Sequence, residues 1–299
     1  MAYTRRSDLA VELHELWKKN AANGTQNIPQ TSYTREGYTI TKVVIETAEA
    51  AEAIGKPIGS YRSMDISRYW KREKSAYHRA VYAIAGELTV LLKDLPDKCS
   101  ALVVGLGNAH MTPDAIGPLV AKQLLATRHM VRDPSCAMLC PVSVLSPGVL
   151  AQTGMETGEI IQGIVKQTKP DFVIAVDALA AARLERICTT IQFSDSGIVP
   201  GSGVGNHRFP LNADTLGVPV YSIGVPTVMD SATLALDILE EHCIKCDNSV
   251  TLGEHAAQVM VTPRDIDAQV RELSKLIAFG INLALQPQLS LQDLDALVS

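Results

Sequence analysis

ALVVGLGNAHMTPDAIGP, residues 101–118, contains a strand, a tight turn and the start of a helix in one short stretch. The four apolar residues 101–104 predict a buried parallel strand. The strand is expected to end at Gly105 and Gly107, because a residue without a Cβ lets the backbone turn freely. Asp114 stands just before an apolar run at helical spacing, which places its carboxylate at the mouth of the next helix. Open α/β sheets bind their ligands there, beyond the carboxyl end of a strand.

Strands and helices alternate along the chain from residue 101 onward. The strands are predicted at 101–104, 137–144, 172–176 and 218–223, and the helices at 114–126, 156–167, 230–241 and 263–285. This alternation predicts an α/β fold, a doubly wound, mostly parallel sheet flanked by helices. Residues 186–194 alternate with a period of two and predict an appended or edge strand, which makes an appended smaller β element.

The chain before residue 101 predicts further elements. They are a helix over 7–19 with Ser7 as its N-cap, a strand at 38–45, a helix over 47–54 that stops at Gly55, a strand at 61–66 and a long helix over 69–92. No linker rich in Pro, Gly or Ser divides the chain, so residues 1–299 are expected to form a single elaborated domain. Within it, residues 1–19 form the N-terminal helix and are a candidate propeptide remnant.

The composition excludes several classes of protein. The formal net charge is −5 and the isoelectric point is near 5.8, which argues against a direct nucleic-acid binder, because phosphate neutralisation needs a basic face. The N terminus has no apolar signal region, and no apolar run approaches the ~18 residues that span a bilayer. We therefore expect a cytoplasmic protein without membrane contact. The six cysteines are expected to be reduced thiols, as is usual in so long an intracellular chain. A zinc site is not expected, because Cys243 and Cys246 lack a second pair at matching spacing.

A second carboxylate, Asp177, follows the apolar run 172–176. It is expected just past the carboxyl end of a buried strand, as Asp114 is, so the two side chains can converge on one crevice. Two neighbouring carboxylates cannot both ionise cheaply, so they share a proton and provide a base that activates water and an acid that protonates a leaving amine. The alternative roles are structural, with Asp114 as a helix cap and Asp177 as a turn former.

Other motifs give weaker indications. The GLGN turn does not continue as the dinucleotide-binding G-x-G-x-x-G, because position 110 is His110, and the chain has neither a P-loop nor a G-x-S-x-G nucleophile elbow. His110 or His207 could complete a metal site with the two aspartates, although a lone loop histidine is more often solvated. The glycine-rich loop 196–205 is long enough for a lid or a substrate-binding loop.

Residues near these loops are candidates for binding a substrate. Main-chain amides of the GLGN turn and of the glycine-rich loop could stabilise an oxyanion. Arginines could pair with acidic substrate side chains, and a solvated surface is the alternative for each of them. The candidate substrate-binding residues are Asn108, Thr112, Arg183, Gly203 and Arg208.

Nine segments of unusual sequence follow one another over nearly the whole chain. They are RRSDLAVELHE (5–15), GKPIGSY (55–61), VVGLGNAHMTPDAIGPLV (103–120), TRHM (127–130), PVSVLSPGVLAQTGMET (141–157), KPDFVIAVDALAAARLERI (169–187), SDSGIVPGSGVGN (194–206), GVPVYSIGVPTVMD (217–230) and MVTPRDID (260–267). In these segments the sequence resembles the germination protease family, endopeptidases of spore-forming Firmicutes that degrade small acid-soluble spore proteins.

The resemblance implies a fold similar to that of the hydrogenase maturation proteases, a homotetramer, and a spore protein as substrate, with no cofactor and no metal. It also implies a zymogen in the forespore that is shortened at its N terminus by self-processing. The two proposed catalytic aspartates of the family match Asp114 in TPDAIGP and Asp177 in VDALAA. We therefore expect an endopeptidase in which these two residues hold and activate a water.

Two alternative functions stay open at this point. One is a metal-dependent, maturation-type peptidase on the same fold, in which a histidine joins the two aspartates. The other is a non-enzymatic protein that binds an anion or an acidic peptide at the glycine-rich turns. For the precursor, we hypothesise that the helix over 7–19 covers the crevice.

Overall fold

The computed structural model describes residues 5–20, 28–96, 98–201, 209–242 and 259–298. The strands are β1 (Gln30–Arg35), β2 (Tyr38–Ile45), β3 (Gly59–Asp65), β4 (Ala101–Gly105), β5 (Val142–Leu145), β6 (Phe172–Ala180), β7 (Thr190–Ser194), β8 (Val220–Asp230) and β9 (Met260–Val261). The helices are α1 (Ala10–Asn20), α2 (Ala48–Ile54), α3 (Ser67–Trp70), α4 (Ala76–Leu91), α5 (Ile116–Ala121), α6 (Leu150–Thr153), α7 (Thr157–Thr168), α8 (Ala213–Leu216), α9 (Ser231–Glu241), α10 (Ile266–Leu285) and α11 (Leu291–Val298). In these described ranges, no helix combines the length and the apolar character needed to cross a membrane.

The strands form one mixed sheet in the order β1-β2-β3-β7-β8-β6-β4-β5, with β9 paired to β8. β5, β4, β6 and β8 pair in parallel, whereas the other pairings are antiparallel. The α/β class is confirmed, but the sheet is mixed rather than mostly parallel. Short connections are one reason, because β1 and β2 are joined by Glu36 and Gly37, both with positive φ, and such a two-residue turn joins antiparallel strands.

The strand predicted within 186–194 is β7, and it lies inside the sheet rather than at an edge. It pairs antiparallel with β3 on one side and with β8 on the other. One of its polar residues, Gln192, is buried against the residues at the start of α1. The side chain of Gln192 accepts a hydrogen bond from the Ala10 N–H (2.7 Å) and donates one to the Asp8 carbonyl oxygen (3.1 Å). β7 thereby joins the appended antiparallel strands to the parallel ones.

Helices cover both faces of the parallel strands, as the doubly wound prediction requires. Successive residues of β4 and β6 point to opposite faces of the sheet. Val103 and Ile174 pack with α4, α5 and α10 on one face, whereas Val104 and Ala175 pack with α7 and α8 on the other. A third apolar cluster packs α1 and α2 on β2 and β3. These helices cover the faces of the sheet, and the candidate site lies at the edge where the parallel strands end.

Two predicted helices differ from the structure. The helix predicted over 69–92 is divided into α3 and α4, because Arg72 and Ser75 between them adopt a positive φ, which ends a helix. The helix predicted over 114–126 is a 3-10 turn, Thr112–Asp114, followed by the short α5. The C-terminal ends of α2, α7, α9 and α10 lie within one residue of those predicted.

Candidate active site

Two glycines bring α5 directly against the end of β4 and the middle of β6. A Cβ on Gly117, in α5, would lie 2.2 Å from the Leu106 carbonyl oxygen and 2.5 Å from that of Val176. A Cβ on Gly105, at the end of β4, would lie 2.1 Å from the Gly117 carbonyl oxygen. Residues with a side chain do not permit this approach. The turn that precedes α5 is therefore fixed beside β6.

Asp114 ends this turn, and the preceding loop holds its carboxylate. Oδ2 of Asp114 accepts a hydrogen bond from the main-chain N–H of Asn108 (2.7 Å). The N–H of Asp114 donates to the Met111 carbonyl oxygen (2.8 Å). Gly107, with φ of +108°, lets the loop turn back on itself. The side chain thus lies at the mouth of α5, where the sequence places it.

Asp177 is buried in β6, with 5% of its surface exposed. The prediction that it follows the end of a strand is wrong, because β6 continues to Ala180. The neighbouring β8 is long enough to pair with this extension, and Asp177 lies opposite Gly224. On the other side, β4 ends at Gly105, which lies opposite Val176, so β4 does not extend as far as Asp177. Oδ1 of Asp177 accepts a hydrogen bond from the Ala178 N–H (2.9 Å), which orients the carboxylate within the strand.

Asp114 and Asp177 line the same cavity, which has a volume of about 560 Å³. A third carboxylate, that of Asp8, lines it as well. The wall also includes Asn108, Met111, Val149, Thr227, Met260 and Thr262. The structure therefore brings together two aspartates that are distant in the sequence and adds a third.

Two threonines connect the turn of Asp114 to the far side of the cavity. The hydroxyl of Thr227, in β8, donates to the Pro113 carbonyl oxygen (2.6 Å). The hydroxyl of Thr262 donates to the carbonyl oxygen of Thr227 (2.9 Å). Thr227 is completely buried, so its hydroxyl is shielded from water. Pro113, which precedes Asp114, is thus linked through Thr227 to Thr262 in the C-terminal part of the chain.

Nothing in the sequence near Asp8 indicates that it reaches this cavity, because its contacts are with distant residues. Its Oδ2 accepts a hydrogen bond from the Ala180 N–H (2.9 Å), and its own N–H donates to the Ala180 carbonyl oxygen (2.9 Å). Nζ of Lys56 lies 3.9 Å from Asp8 Oδ1. Asp8 precedes α1, and α1 itself packs on α2, β2 and β3. Within the segment 7–19, Asp8 is the described residue that lines the cavity, and the hypothesis that this segment covers the crevice in the precursor stays a prediction.

The other candidates are distributed over several places. Asn108 lines the cavity, and its Oδ1 accepts hydrogen bonds from the His110 N–H (3.0 Å) and from Gln152 Nε2 (2.7 Å). Thr112 lies in the turn of Asp114 but does not line the cavity. His110 lies at a shallow groove beside the cavity. Outside the described residues lie Gly203, His207 and Arg208.

Arg183 does not line the cavity. Its guanidinium lies 3.0 Å from Asp237 Oδ1 and 3.3 Å from Glu240 Oε2, both in α9. Arg186 pairs in the same manner with two glutamates of α1. These arginines hold α1 and α9 against the segment that follows β6. The structure thus shows Arg183 paired with α9 and outside the wall of the cavity, and its role in substrate binding stays a prediction.

Across residues 5–298, apart from the undescribed segments, no group of three or more His, Cys, Asp or Glu side chains is arranged to hold a metal ion. Asp8, Asp114 and Asp177 line one cavity without forming such a group. Among the described cysteines, Cys136, Cys140 and Cys188 are in no disulfide. Burial raises the pKa of Cys140 to about 11 and the pKa of Cys188 to about 12, so both are neutral thiols near pH 7. Cys243 and Cys246 are not among the described residues.

A family model described as germination protease, peptidase family A25, matches residues 6–246. The matched range includes all three aspartates of the cavity. The chain belongs to the germination protease family. It is therefore a peptidase, and the resemblance inferred from its sequence is confirmed. The alternative of a non-enzymatic binding protein is set aside on this ground.

Germination proteases of several bacteria match nearly the whole chain. That of Clostridium perfringens is 40% identical over 321 aligned residues, which cover 98% of this chain and 98% of that protein. The identity is 37% for Clostridium tetani, over 97% and 98% of the two chains, and 35% for Bacillus mycoides, over 96% and 95%. Among solved structures, the [NiFe] hydrogenase maturation protease HycI from Thermococcus kodakarensis matches with 18% identity and a TM-score of 0.35, over 65% of this chain and 98% of that one. Full-length sequence similarity thus identifies a spore germination protease.

Proposed function

We propose that this germination protease is an endopeptidase that cleaves small acid-soluble spore proteins with a water activated by Asp114 and Asp177. The observation that carries the proposal is that both carboxylates line one cavity. Asp114 comes from the turn after β4, and Asp177 comes from β6. Two acids that face one cavity can divide the roles of base and acid between them.

In the proposed reaction, the two carboxyl groups hold one proton. Asp177 is buried, and a second ionised carboxylate in the same cavity makes double ionisation costly. The ionised carboxylate takes a proton from the water, whose oxygen forms a bond to the peptide carbonyl carbon. The protonated carboxyl group hydrogen-bonds to the carbonyl oxygen and then gives its proton to the leaving nitrogen as the C–N bond breaks.

The glycine-rich turn orients Asp114 in this mechanism. The N–H of Asn108 donates to Asp114 Oδ2, and the N–H of Leu106 donates to the Val176 carbonyl oxygen (2.8 Å). Both amides therefore have an acceptor within the protein. Polarisation of the substrate carbonyl then depends on the protonated aspartate.

A disordered substrate suits this cavity. An extended segment can enter it without the cost of unfolding a core. Met111 and Met260 line the cavity with 57% and 38% of their surface exposed, so they offer flexible apolar contacts to the segment that enters. Family membership supports the remaining parts of the proposal, which are synthesis as a zymogen, assembly as a homotetramer and a location in the spore core.

Isosteric variants test the mechanism. Asp114→Asn and Asp177→Asn are each expected to reduce cleavage of a purified small acid-soluble spore protein at least about a hundredfold, because an amide keeps the shape but cannot take up the proton. Asp267→Asn, at an exposed position of α10, is the matched control and is expected to cleave like the wild type. Circular dichroism establishes that each variant is folded. Cleavage near the wild-type rate by either cavity variant would contradict the proposal.

Chelation tests the metal-dependent alternative. The aspartate mechanism predicts the same cleavage rate before and after exhaustive dialysis against EDTA. Loss of cleavage in EDTA, together with recovery on addition of a divalent cation, would favour the metal-dependent peptidase instead.

A further inference from the structure

The side-chain amide of Asn108 is held in one orientation by two hydrogen bonds. Its Oδ1 accepts from the main-chain N–H of His110 (3.0 Å) and from Gln152 Nε2 (2.7 Å). A main-chain N–H can only donate, so the atom that it contacts is the oxygen of the amide, and the other atom is the NH2 group. Within the described residues, none of the hydrogen bonds of Asn108 uses Nδ2. The side chain therefore keeps a donor for a ligand.

The two residues that hold Oδ1 lie on one side of Asn108, and the aspartate cavity lies on the other. His110 and Gln152 line the shallow groove beside the cavity, and Asn108 itself does not line this groove. Asn108 lines the cavity instead, together with Asp114 and Asp177. Because Oδ1 is directed at the groove residues, Nδ2 is the polar group of this side chain that remains for a ligand of the cavity.

Asn108 is also in direct contact with a proposed catalytic carboxylate, because its main-chain N–H donates to Asp114 Oδ2 (2.7 Å). A water that attacks from Asp114 therefore brings the scissile carbonyl close to Asn108. The carbonyl oxygen gains negative charge as the bond from the water forms. In the proposed reaction the protonated carboxyl group gives this oxygen one hydrogen bond. A neutral NH2 group can give a second hydrogen bond without entering the proton transfer.

We propose that Nδ2 of Asn108 donates a hydrogen bond to the oxygen of the scissile carbonyl and stabilises the negative charge of the tetrahedral intermediate. Gln152 is then a positioning residue, because its bond to Oδ1 leaves the NH2 group to the cavity. The inference rests on the proposed function, since it adds a catalytic residue to the same reaction. A bond of this kind strengthens as charge develops, so it raises kcat more than it improves substrate binding.

Steady-state cleavage of a purified small acid-soluble spore protein is the first test. Asn108→Ala is expected to lower kcat about a hundredfold and to leave KM within about threefold of the wild type, because the lost bond belongs to the transition state. Gln152→Ala keeps the NH2 group but loses one of the two bonds that orient it, so kcat is expected to fall by about three- to tenfold. Gln167→Ala, at an exposed position of α7, is the control and is expected to match the wild type.

Two peptide inhibitors separate a bond to the oxyanion from a structural role of Asn108. Both have the sequence of a cleaved segment. One carries a difluoromethylene ketone, whose hydrate presents a tetrahedral carbon with its oxygens, and the other carries a reduced amide, which has no oxygen at that position. Asn108→Ala is expected to raise the Kd of the ketone at least about tenfold and to change the Kd of the reduced amide less than about twofold, both measured by calorimetry. A disturbed cavity or a partly unfolded variant would weaken both inhibitors.

The outcomes separate this role of Asn108 from the proposed function. A kcat of Asn108→Ala within about threefold of the wild type, or equal weakening of the two inhibitors, would overturn the role of Asn108 and leave the proposed function in place. Failure of the wild-type protein to cleave any small acid-soluble spore protein would overturn the proposed function, and the role of Asn108 with it.

Discussion

A Cβ on Gly107 would lie 2.1 Å from the main-chain oxygen of Asp114 and 2.9 Å from its Oδ1. Gly107 also has φ of +108°, a conformation that residues with a side chain rarely adopt. The loop after β4 therefore fits around Asp114 only when position 107 is glycine. This relationship links the stability of the loop to the orientation of a proposed catalytic carboxylate.

Gly107→Ala is expected to lower the free energy of unfolding by about 2–4 kcal/mol, because the backbone is strained and the new methyl group overlaps Asp114. It is also expected to reduce kcat at least about tenfold, since relief of the overlap displaces the carboxylate. Urea unfolding and steady-state cleavage of the spore protein measure the two effects. Gly154→Ala is the control, because Gly154 has φ of +71° but a Cβ there would meet nothing within 4 Å. Equal losses in the two variants would argue against the overlap.

Thr227→Val is expected to reduce kcat/KM roughly tenfold and the free energy of unfolding by about 1–2 kcal/mol. The substitution preserves the size of the side chain but removes the buried hydroxyl that donates to the Pro113 carbonyl oxygen, next to Asp114. Thr227→Ser keeps the hydroxyl and is expected to retain most of the activity. If the valine variant cleaves as fast as the serine variant, this hydrogen bond does not position the turn.

Glu12 is expected to make the stability of the protein depend on pH. Burial raises the pKa of Glu12 from 4.5 to about 7, although hydrogen bonds from Ser7, Ala182 and Arg183 oppose the shift. The folded chain therefore binds a proton more tightly than the unfolded chain between these two pKa values. The free energy of unfolding then falls as the pH rises from about 4.5 to about 7, by roughly 3 kcal/mol at most, and this contribution is constant above that range.

Glu12→Gln is expected to remove this contribution and to flatten the pH profile of stability. Urea unfolding of the wild type and of the variant at several pH values between 4.5 and 8 measures the difference. Glu52→Gln, at an exposed position of α2, provides the comparison. Parallel profiles for the wild type and Glu12→Gln would show that Glu12 is not the group responsible.

Arg183→Ala is expected to lower the free energy of unfolding by about 1–2 kcal/mol, because Asp237 and Glu240 lose a partly buried partner. Its kcat/KM is expected to stay within about twofold of the wild type, since Arg183 lies away from the cavity. Arg72→Ala, which removes an exposed ion pair with Glu272, is expected to cost less than about 1 kcal/mol. A large rise in KM for Arg183→Ala without a loss of stability would restore the substrate-binding role predicted from sequence.

Local patterns predict the elements that carry Asp114 and Asp177. The runs 101–104 and 172–176 are continuously apolar because helices cover both faces of their strands, and this is visible without knowledge of the partner strands. Gly107 marks the turn because its conformation depends on its own backbone. These features place both aspartates near one edge of the sheet.

Features that depend on distant partners could not be predicted in the same way. The continuation of β6 beyond Asp177 depends on its pairing with β8, and the alternating pattern of β7 does not reveal that Gln192 bonds to the start of α1. The sequence alone suggests that Arg183 is a solvated surface cation, and its acidic partners in α9 become visible only in the structure. Asp8 reaches the cavity through hydrogen bonds from its carboxylate and its N–H to the main chain of Ala180, and the sequence around Asp8 gives no sign of them.

The hydrogen bonds from Thr262 to Thr227 and from Thr227 to Pro113 have a consequence for biosynthesis. Asp8 leaves the ribosome about 250 residues before Thr262 does. A nascent polypeptide therefore lacks part of the framework around Asp114 until residue 262 has been added. The cavity between these residues can take its final form only after that point of translation.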